Sequence, residues 1–183
     1  MLDLFQRSNN INPYCLSKGF LLLSCSLMGK YNEDGLVSLV KKLENYIDRK
    51  DVRKATVSKS DVAWQIDHSL KVINLVSESL FKSDPNSYQS GFKIWRFILF
   101  NLNYIPRGRA KSPKIVRPPD NITTDTLTNQ VSDAFENIER LTTADEKAHF
   151  THFVFGVLNR KRTIRFLHLH TNHHLKIIRD IIK

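Results

Sequence analysis

Apolar residues recur at helical spacing through the first half of the chain, after a polar N-terminal stretch. Residues 33–49 predict an amphipathic helix because their apolar side chains return every three or four positions. A second helix is predicted from Ser60, as its N-cap, to Leu80 or Phe81. Residues 90–105 are apolar nearly all round, which predicts a buried helix that Pro106 ends.

The second half of the chain continues the helical pattern after a proline-containing segment. Residues 106–122 predict a long irregular loop, and such loops often border a functional site. The spacing from Leu127 to Leu141 predicts another helix, and the capping box at residues 143–146 predicts the start of a short one. Residues 153–156 predict a turn, after which Asn159 caps a last helix that runs to about Ile182.

These elements predict an all-α fold, with four long helices and a short one arranged most simply as a four-helix bundle. The chain has only 6 glycines in 183 residues, which disfavours a hairpin-rich β fold. Two cysteines exclude a disulfide framework and a four-cysteine zinc site. The chain also lacks the Gly-x-Ser-x-Gly elbow of serine hydrolases and a phosphate-binding glycine loop.

Residues 1–27 differ from the rest of the chain and are interpreted as an N-terminal extension, leaving residues 28–183 as one domain. The apolar run at residues 19–28 is shorter than the roughly 20 residues that span a bilayer, so no integral membrane segment is predicted. Four interpretations stay open: a disordered extension, an ordered part of the fold, a start site that is really Met28, or a targeting segment with Cys25 in a loose lipoprotein-like context. We expect a cytoplasmic protein, with export as the alternative.

The formal net charge of +10 favours an anionic partner. Arg107 and Arg109 lie in the proline-containing loop, whereas Arg160 and Arg162 begin the last helix. All four are candidate anion-binding residues, with an ordinary solvated surface as the alternative. No aromatic residue interleaves the first group and no nucleic-acid-binding motif is present, so no nucleic-acid partner is expected.

Six of the seven histidines fall between residues 149 and 174. At about 100° per residue, His170 and His174 lie in the middle of the apolar face of the last helix, whereas His168 lies on its polar side and His173 on its flank. His68 belongs to the apolar stripe of the second helix, one turn after Trp64. Three buried imidazoles are costly unless they find partners, and they can share a divalent cation such as Zn, Ni or Fe(II). The alternative is that all three are packing residues.

Two segments around these histidines resemble the DinB-like (YfiT-like) superfamily. They are Trp64…Asp67-His68 and Phe155-Gly156-Val-Leu-Asn159 … Phe166 … His170-Thr-Asn-His173-His174-Leu175. The resemblance covers about residues 30–183 and is strongest to a branch of unassigned function with a Phe-Gly-x-Leu turn followed by His-x-x-His-His-Leu.

The resemblance implies an up-down-down-up four-helix bundle with a metal held by His68, His170 and His174 at one end. Trp64 is then expected in the pocket of the metal. Asp67 could accept a hydrogen bond from a ligand, although adjacent helical residues diverge by about 100°, which favours the surface for Asp67. His173 would face away from the metal or lie just behind its ligands. One departure is that Arg160, Lys161 and Arg162 stand where this branch commonly has acidic residues.

Members of the superfamily are diverse, so the resemblance leaves the activity open. Our first expectation is a divalent-metal-dependent enzyme that transfers a low-molecular-weight thiol to or from a small-molecule substrate. A metal-dependent hydrolase is the second reading, although no general base can be assigned. The third is a non-enzymatic helical stress or binding protein with a structural metal, or a homodimer formed through a bundle face.

Overall fold

The computed structural model describes residues 31–108 and 113–183. Within these residues the chain forms five α-helices: α1 (Glu33–Glu44), α2 (Val62–Phe81), α3 (Ile94–Leu102), α4 (Thr124–Thr143) and α5 (Arg160–Ile182). A hairpin of β1 (His149–His152) and β2 (Gly156–Asn159) precedes α5. Short 3-10 turns occupy Ile47–Arg49, Pro85–Ser87 and Lys114–Val116. The predicted extension at residues 1–27 and the choice between Met1 and Met28 lie outside the described residues.

The four longest helices share one apolar core. Helices α1 and α2 each pack against both α4 and α5. The apolar spacing that predicted these helices points into this core, whose largest fully buried side chains are Leu36, Leu43, Ile66, Leu70, Ile73, Leu80, Leu127, Ile138, Leu141, Leu158, Leu167 and Ile178. The mostly helical fold predicted from the sequence is therefore confirmed. No helix in the described part of the chain is both long and apolar enough to cross a membrane.

Side-chain caps set where the helices begin. The carboxylate of Asp61 accepts a hydrogen bond from Trp64 N at 2.9 Å, so Asp61 is the N-cap of α2 and the prediction of Ser60 was one residue early. Asn159 caps α5 as predicted, because its side-chain oxygen accepts from Arg162 N at 3.1 Å. The first predicted helix ends earlier than expected, at Glu44, and the chain continues through a 3-10 turn.

A helix is present within residues 90–105, as predicted, but the prediction that it is buried was wrong. Helix α3 is shorter, and only Arg96 and Phe100 of its residues are buried. Trp95 is 60% exposed and Phe97 is 58% exposed. The apolar composition of a helix does not show how much of its surface other elements cover. Helix α3 packs mainly against α5 and has few other contacts, so most of its apolar side chains stay exposed.

The short helix predicted from residue 143 was also wrong. Helix α4 ends at its C-cap Ala144, and the Asp145 carboxylate accepts from Lys147 N at 2.7 Å. This local side-chain bond holds a turn in place of a helical turn. The turn predicted at residues 153–156 is confirmed, but it joins two strands that the sequence did not predict. Gly156 has φ of 69°, a left-handed conformation that favours glycine at the start of β2.

Candidate metal centre

The three predicted histidine ligands meet between two helices. His68 comes from α2, and His170 and His174 come from adjacent turns of α5. Each ring offers one nitrogen to a group in which these atoms all lie within 4.8 Å of one another. The ring centroids of His68 and His174 are 4.9 Å apart, and those of His170 and His174 are 4.6 Å apart. The cluster can therefore hold a metal ion.

Hydrogen bonds select the tautomer of two of these rings. His68 Nδ1 lies 2.8 Å from the carbonyl oxygen of Val116, and His174 Nδ1 lies 2.7 Å from Oε1 of Gln65. Because both oxygens can only accept, each Nδ1 carries the proton and each Nε2 keeps a free lone pair. Such bonds orient metal-ligating imidazoles and raise their basicity.

The third ring, that of His170, has no hydrogen bond to a described residue at its Nδ1 that would select a tautomer. His170 Nδ1 is buried and has no hydrogen-bond partner in the described structure. A buried polar atom without a partner is costly, and a ring that no hydrogen bond holds can offer a nitrogen to a cation shared with His68 and His174. The residues present therefore fit a divalent cation.

Burial keeps the cluster uncharged. Desolvation lowers the pKa of His170 and His174 well below the usual value, and repulsion between the neighbouring histidines lowers both further. Burial also lowers the pKa of His68, against the opposing effects of its bond to Val116 and of Asp67. Neutral imidazole is the form that binds a metal, so the cluster is in its ligating state at neutral pH.

The residues expected around the metal take different positions. Trp64 stacks on His68 with centroids 4.9 Å apart. The ring of His173 lies edge-on to His174 at 5.0 Å and lines the cavity described below, so it does not face away from the cluster. Burial, with the nearby charge of Arg107 as a smaller cause, lowers the pKa of His173 to about 4.

Asp67 is fully buried, although its place on the helix favoured the surface. Its carboxylate pairs with Lys71 Nζ at 2.7 Å and accepts from Gln130 Nε2 at 2.8 Å. Lys71 lies one turn later on α2 and Gln130 lies on α4, so Asp67 stabilises the contact between these two helices. It is not a hydrogen-bond partner of the cluster, where Gln65 and Val116 take that role.

A cavity of about 970 Å³ opens beside the three histidines. Its walls come from α2, α3, α5, the hairpin and the proline-containing loop, so this loop borders the cavity. Aromatic side chains make up much of the lining, including Trp64, Trp95, Phe150, Phe153, Phe155 and Phe166. Volume and lining are typical of a site for a small, largely apolar molecule.

The three candidate anion-binding arginines that the structure describes do not come together. Arg107 lines the cavity and pairs with Asp180 at 2.8 Å, near the end of α5. Arg162, in the first turn of α5, donates to the hydroxyl of Tyr88 at 3.1 Å. Asp180 is about 27 Å further along this helix, at about 1.5 Å per residue. Arg160 donates to the carbonyl oxygens that end α4. Arg109 lies outside the described residues.

Sequence reasoning missed three polar residues in this region. Gln65 lies one turn before His68 on the same face of α2, and this spacing was a usable signal. His168 was placed on the polar side of α5, but it is 6% exposed and its Nε2 bonds to the carbonyl oxygen of Asn32 at 2.6 Å. The start of α1 covers that side of α5. His152, at the end of β1, lines the cavity, and no sequence signal distinguished it.

Comparisons with models of known protein families, with curated proteins and with solved structures find no match to this chain.

Proposed function

We propose that this protein is a divalent-metal-dependent enzyme of the DinB-like superfamily that acts on a small molecule in the cavity. The observation that carries the proposal is the convergence of His68, His170 and His174, two with a selected tautomer and one with an unpartnered buried nitrogen. The packing of α1 and α2 against both α4 and α5 supports the superfamily's up-down-down-up four-helix bundle as the underlying fold. Zinc suits three neutral imidazoles best, with Ni and Fe(II) as alternatives.

The cavity supports a catalytic metal over a structural one. A structural zinc site is closed by four protein ligands, whereas three ligands leave a position for a substrate. All three histidines line the cavity, so such a position would face the space where a small molecule fits. The apolar walls would exclude water and strengthen electrostatic interactions inside the site.

The cavity lining favours thiol transfer over hydrolysis, because it includes an arginine but no carboxylate among the described residues. Among the described residues that line it there is no carboxylate to act as a general base for water. A bound divalent cation would lower the pKa of a thiol co-substrate and so supply a thiolate nucleophile at neutral pH. Arg107 lies at the cavity wall, where its guanidinium can attract an anionic thiol such as glutathione, although Asp180 shares that charge.

Metal content of untagged protein tests the metal centre. We expect about one equivalent of metal per chain by inductively coupled plasma mass spectrometry, after loading with Zn, Ni or Fe(II), and its loss in His170→Ala. His149→Ala is the matched control, because His149 packs against Tyr88 in a tilted arrangement, away from the cluster. A parent protein that binds none of the three ions, or a His170→Ala protein that binds as much as the parent, overturns the proposal.

The thiol step needs its own measurement. Cobalt-substituted protein titrated with glutathione should develop the near-ultraviolet absorption of sulfur bound to cobalt. If the metal binds but this absorption does not appear with glutathione or with small neutral thiols, thiol transfer is wrong and the metal centre stands.

A further inference from the structure

His152 is held in one tautomer by the turn that follows it. Its Nδ1 accepts hydrogen bonds from the backbone N–H groups of Val154 and Phe155, at 3.1 and 3.3 Å. A nitrogen that accepts in this way must carry its lone pair, so the proton of the neutral ring lies on Nε2. The hairpin therefore fixes Nε2–H as a hydrogen-bond donor.

The surroundings keep this ring neutral. Burial lowers the pKa of His152 from its usual 6.5 to about 4. Protonation would also place a hydrogen on Nδ1 and break both bonds to the turn. At neutral pH the ring is therefore an uncharged donor with a fixed orientation.

The ring lies next to the metal centre without touching it. It packs between Phe153 and Phe155, with centroid distances of 4.5 and 4.7 Å, and against Phe166 at 4.8 Å. Phe166 in turn lies 5.7 Å from His170. His152 and the three-histidine cluster thus line one cavity with a single aromatic ring between them.

The donor has no partner within the described structure. No hydrogen bond to Nε2 of His152 is formed by the described residues, whereas Nδ1 has two. Around it the cavity wall is mainly aromatic and aliphatic. One polar hydrogen in an apolar wall fixes the orientation of a ligand that brings the matching acceptor.

We propose that the substrate is a largely apolar small molecule with one carbonyl oxygen, which accepts a hydrogen bond from His152 Nε2–H beside the three-histidine cluster. This inference rests on the proposed function, because it assigns the substrate class of the same cavity. His152 is a substrate-orienting residue in this proposal. The neutral donor withdraws electron density from the carbonyl and makes its carbon a better target for a nucleophile.

Two substitutions separate the two nitrogens of His152. In His152→Asn the amide oxygen can take the place of Nδ1 and keep the turn, but the donor at Nε2 is lost. In His152→Gln the amide nitrogen can reach the position of Nε2 and keep the donor, but the bonds to Val154 and Phe155 are lost. If His152 has a purely structural role, His152→Asn should behave like the parent and His152→Gln should not. The proposal predicts instead that His152→Gln keeps the parent's ligand selectivity and that His152→Asn loses it.

The probes are acetophenone and α-methylstyrene, which share one shape but differ in the carbonyl oxygen. Their Kd values are measured by NMR titration on zinc-free and zinc-loaded protein. We expect the preference for acetophenone, taken as the ratio of the two Kd values, to fall about five-fold in His152→Asn, since one net hydrogen bond has this effect. The ratio should stay near the parent value in His152→Gln.

The outcomes separate this inference from the metal proposal. An unchanged ratio in His152→Asn, or a ratio lost equally in both variants, overturns the inference. So does a parent protein that binds neither probe. Zinc content is measured on the same samples. If the protein shows the expected ratios but binds no zinc, the metal centre is refuted and the assignment of His152 Nε2–H as a hydrogen-bond donor to the ligand stands.

Discussion

Replacing Gln65 by Leu tests whether the hydrogen bond to His174 prepares the metal centre. Gln65 is 3% exposed and its Oε1 lies 2.7 Å from His174 Nδ1. Leucine has a similar volume, so the change removes the acceptor without opening a large cavity. His174 then loses the group that holds its proton on Nδ1 and its Nε2 lone pair toward the cluster.

The expected magnitude follows from the role of such acceptors. Loss of a hydrogen-bond partner of a ligating histidine lowers metal affinity about 10- to 100-fold, or about 1.4 to 2.8 kcal/mol. At a zinc concentration 100 times the parent Kd, zinc stabilises the fold by about 2.7 kcal/mol, and a 100-fold weaker site would reduce this to about 0.4 kcal/mol. For a chain of this size the zinc-induced rise in Tm would fall from roughly 5–10 °C to about 1 °C.

The assay is competition with a chromophoric zinc chelator, supported by thermal unfolding with and without zinc. Gln130→Leu is the matched control, because Gln130 donates to Asp67 at 2.8 Å and does not contact the cluster. We expect Gln130→Leu to keep the parent's zinc affinity. A Gln65→Leu protein whose zinc Kd stays within two- to three-fold of the parent would refute the orientation argument, and equal losses in both variants would point to a general effect on folding.

Two further predictions concern stability. A Cβ at Gly35 would lie 2.7 Å from Cε1 of His168, so Gly35→Ala should destabilise the protein by about 1–3 kcal/mol from overpacking, offset by up to about 1 kcal/mol of helix propensity. Gly91→Ala, which meets nothing within 4 Å, is the control in urea unfolding, and equal effects would contradict the contact. In metal-free protein, His152 has a pKa of about 4 when folded and about 6.5 when unfolded, so the unfolded state binds more protons and stability is lost as pH falls through this window. In His152→Asn the free energy of unfolding should therefore fall less steeply with pH, by up to about 1.4 kcal/mol per pH unit. Urea unfolding of both proteins at pH 7 and pH 5 measures the difference, and an equal loss of stability in the two proteins would rule this prediction out.

Much of the helical framework could be predicted from the sequence. The apolar spacing of α2, α4 and α5 corresponds to the faces that are buried, and Asn159 caps α5 as its position indicates. These predictions succeeded because caps and periodicity depend on residues a few positions apart. The same periodicity brought His170 and His174 to one apolar face.

Features that depend on a distant neighbour were not predictable in this way. Helix α3 is exposed because few other elements pack against it. His168 is buried because the start of α1 covers it and the carbonyl oxygen of Asn32 bonds to its ring. The hairpin strands have four residues each, too few for an alternating pattern to stand out. Asp67 was expected at the surface, but the packing of α2 against α4 buries it and brings Gln130 to its carboxylate, beside the local partner Lys71 one turn away on α2.

The mostly helical character of the chain and the place of three histidines on apolar faces both follow from local sequence, because the helical period is a local property. Only the tertiary structure determined what those histidines can do. Val116 is 48 positions from His68 and Gln65 is 109 positions from His174, yet these contacts select the nitrogen that each ring leaves free. A tautomer follows from the hydrogen-bond partner, and partners this far apart in the chain are brought together only by the packing of α2, α5 and the proline-containing loop.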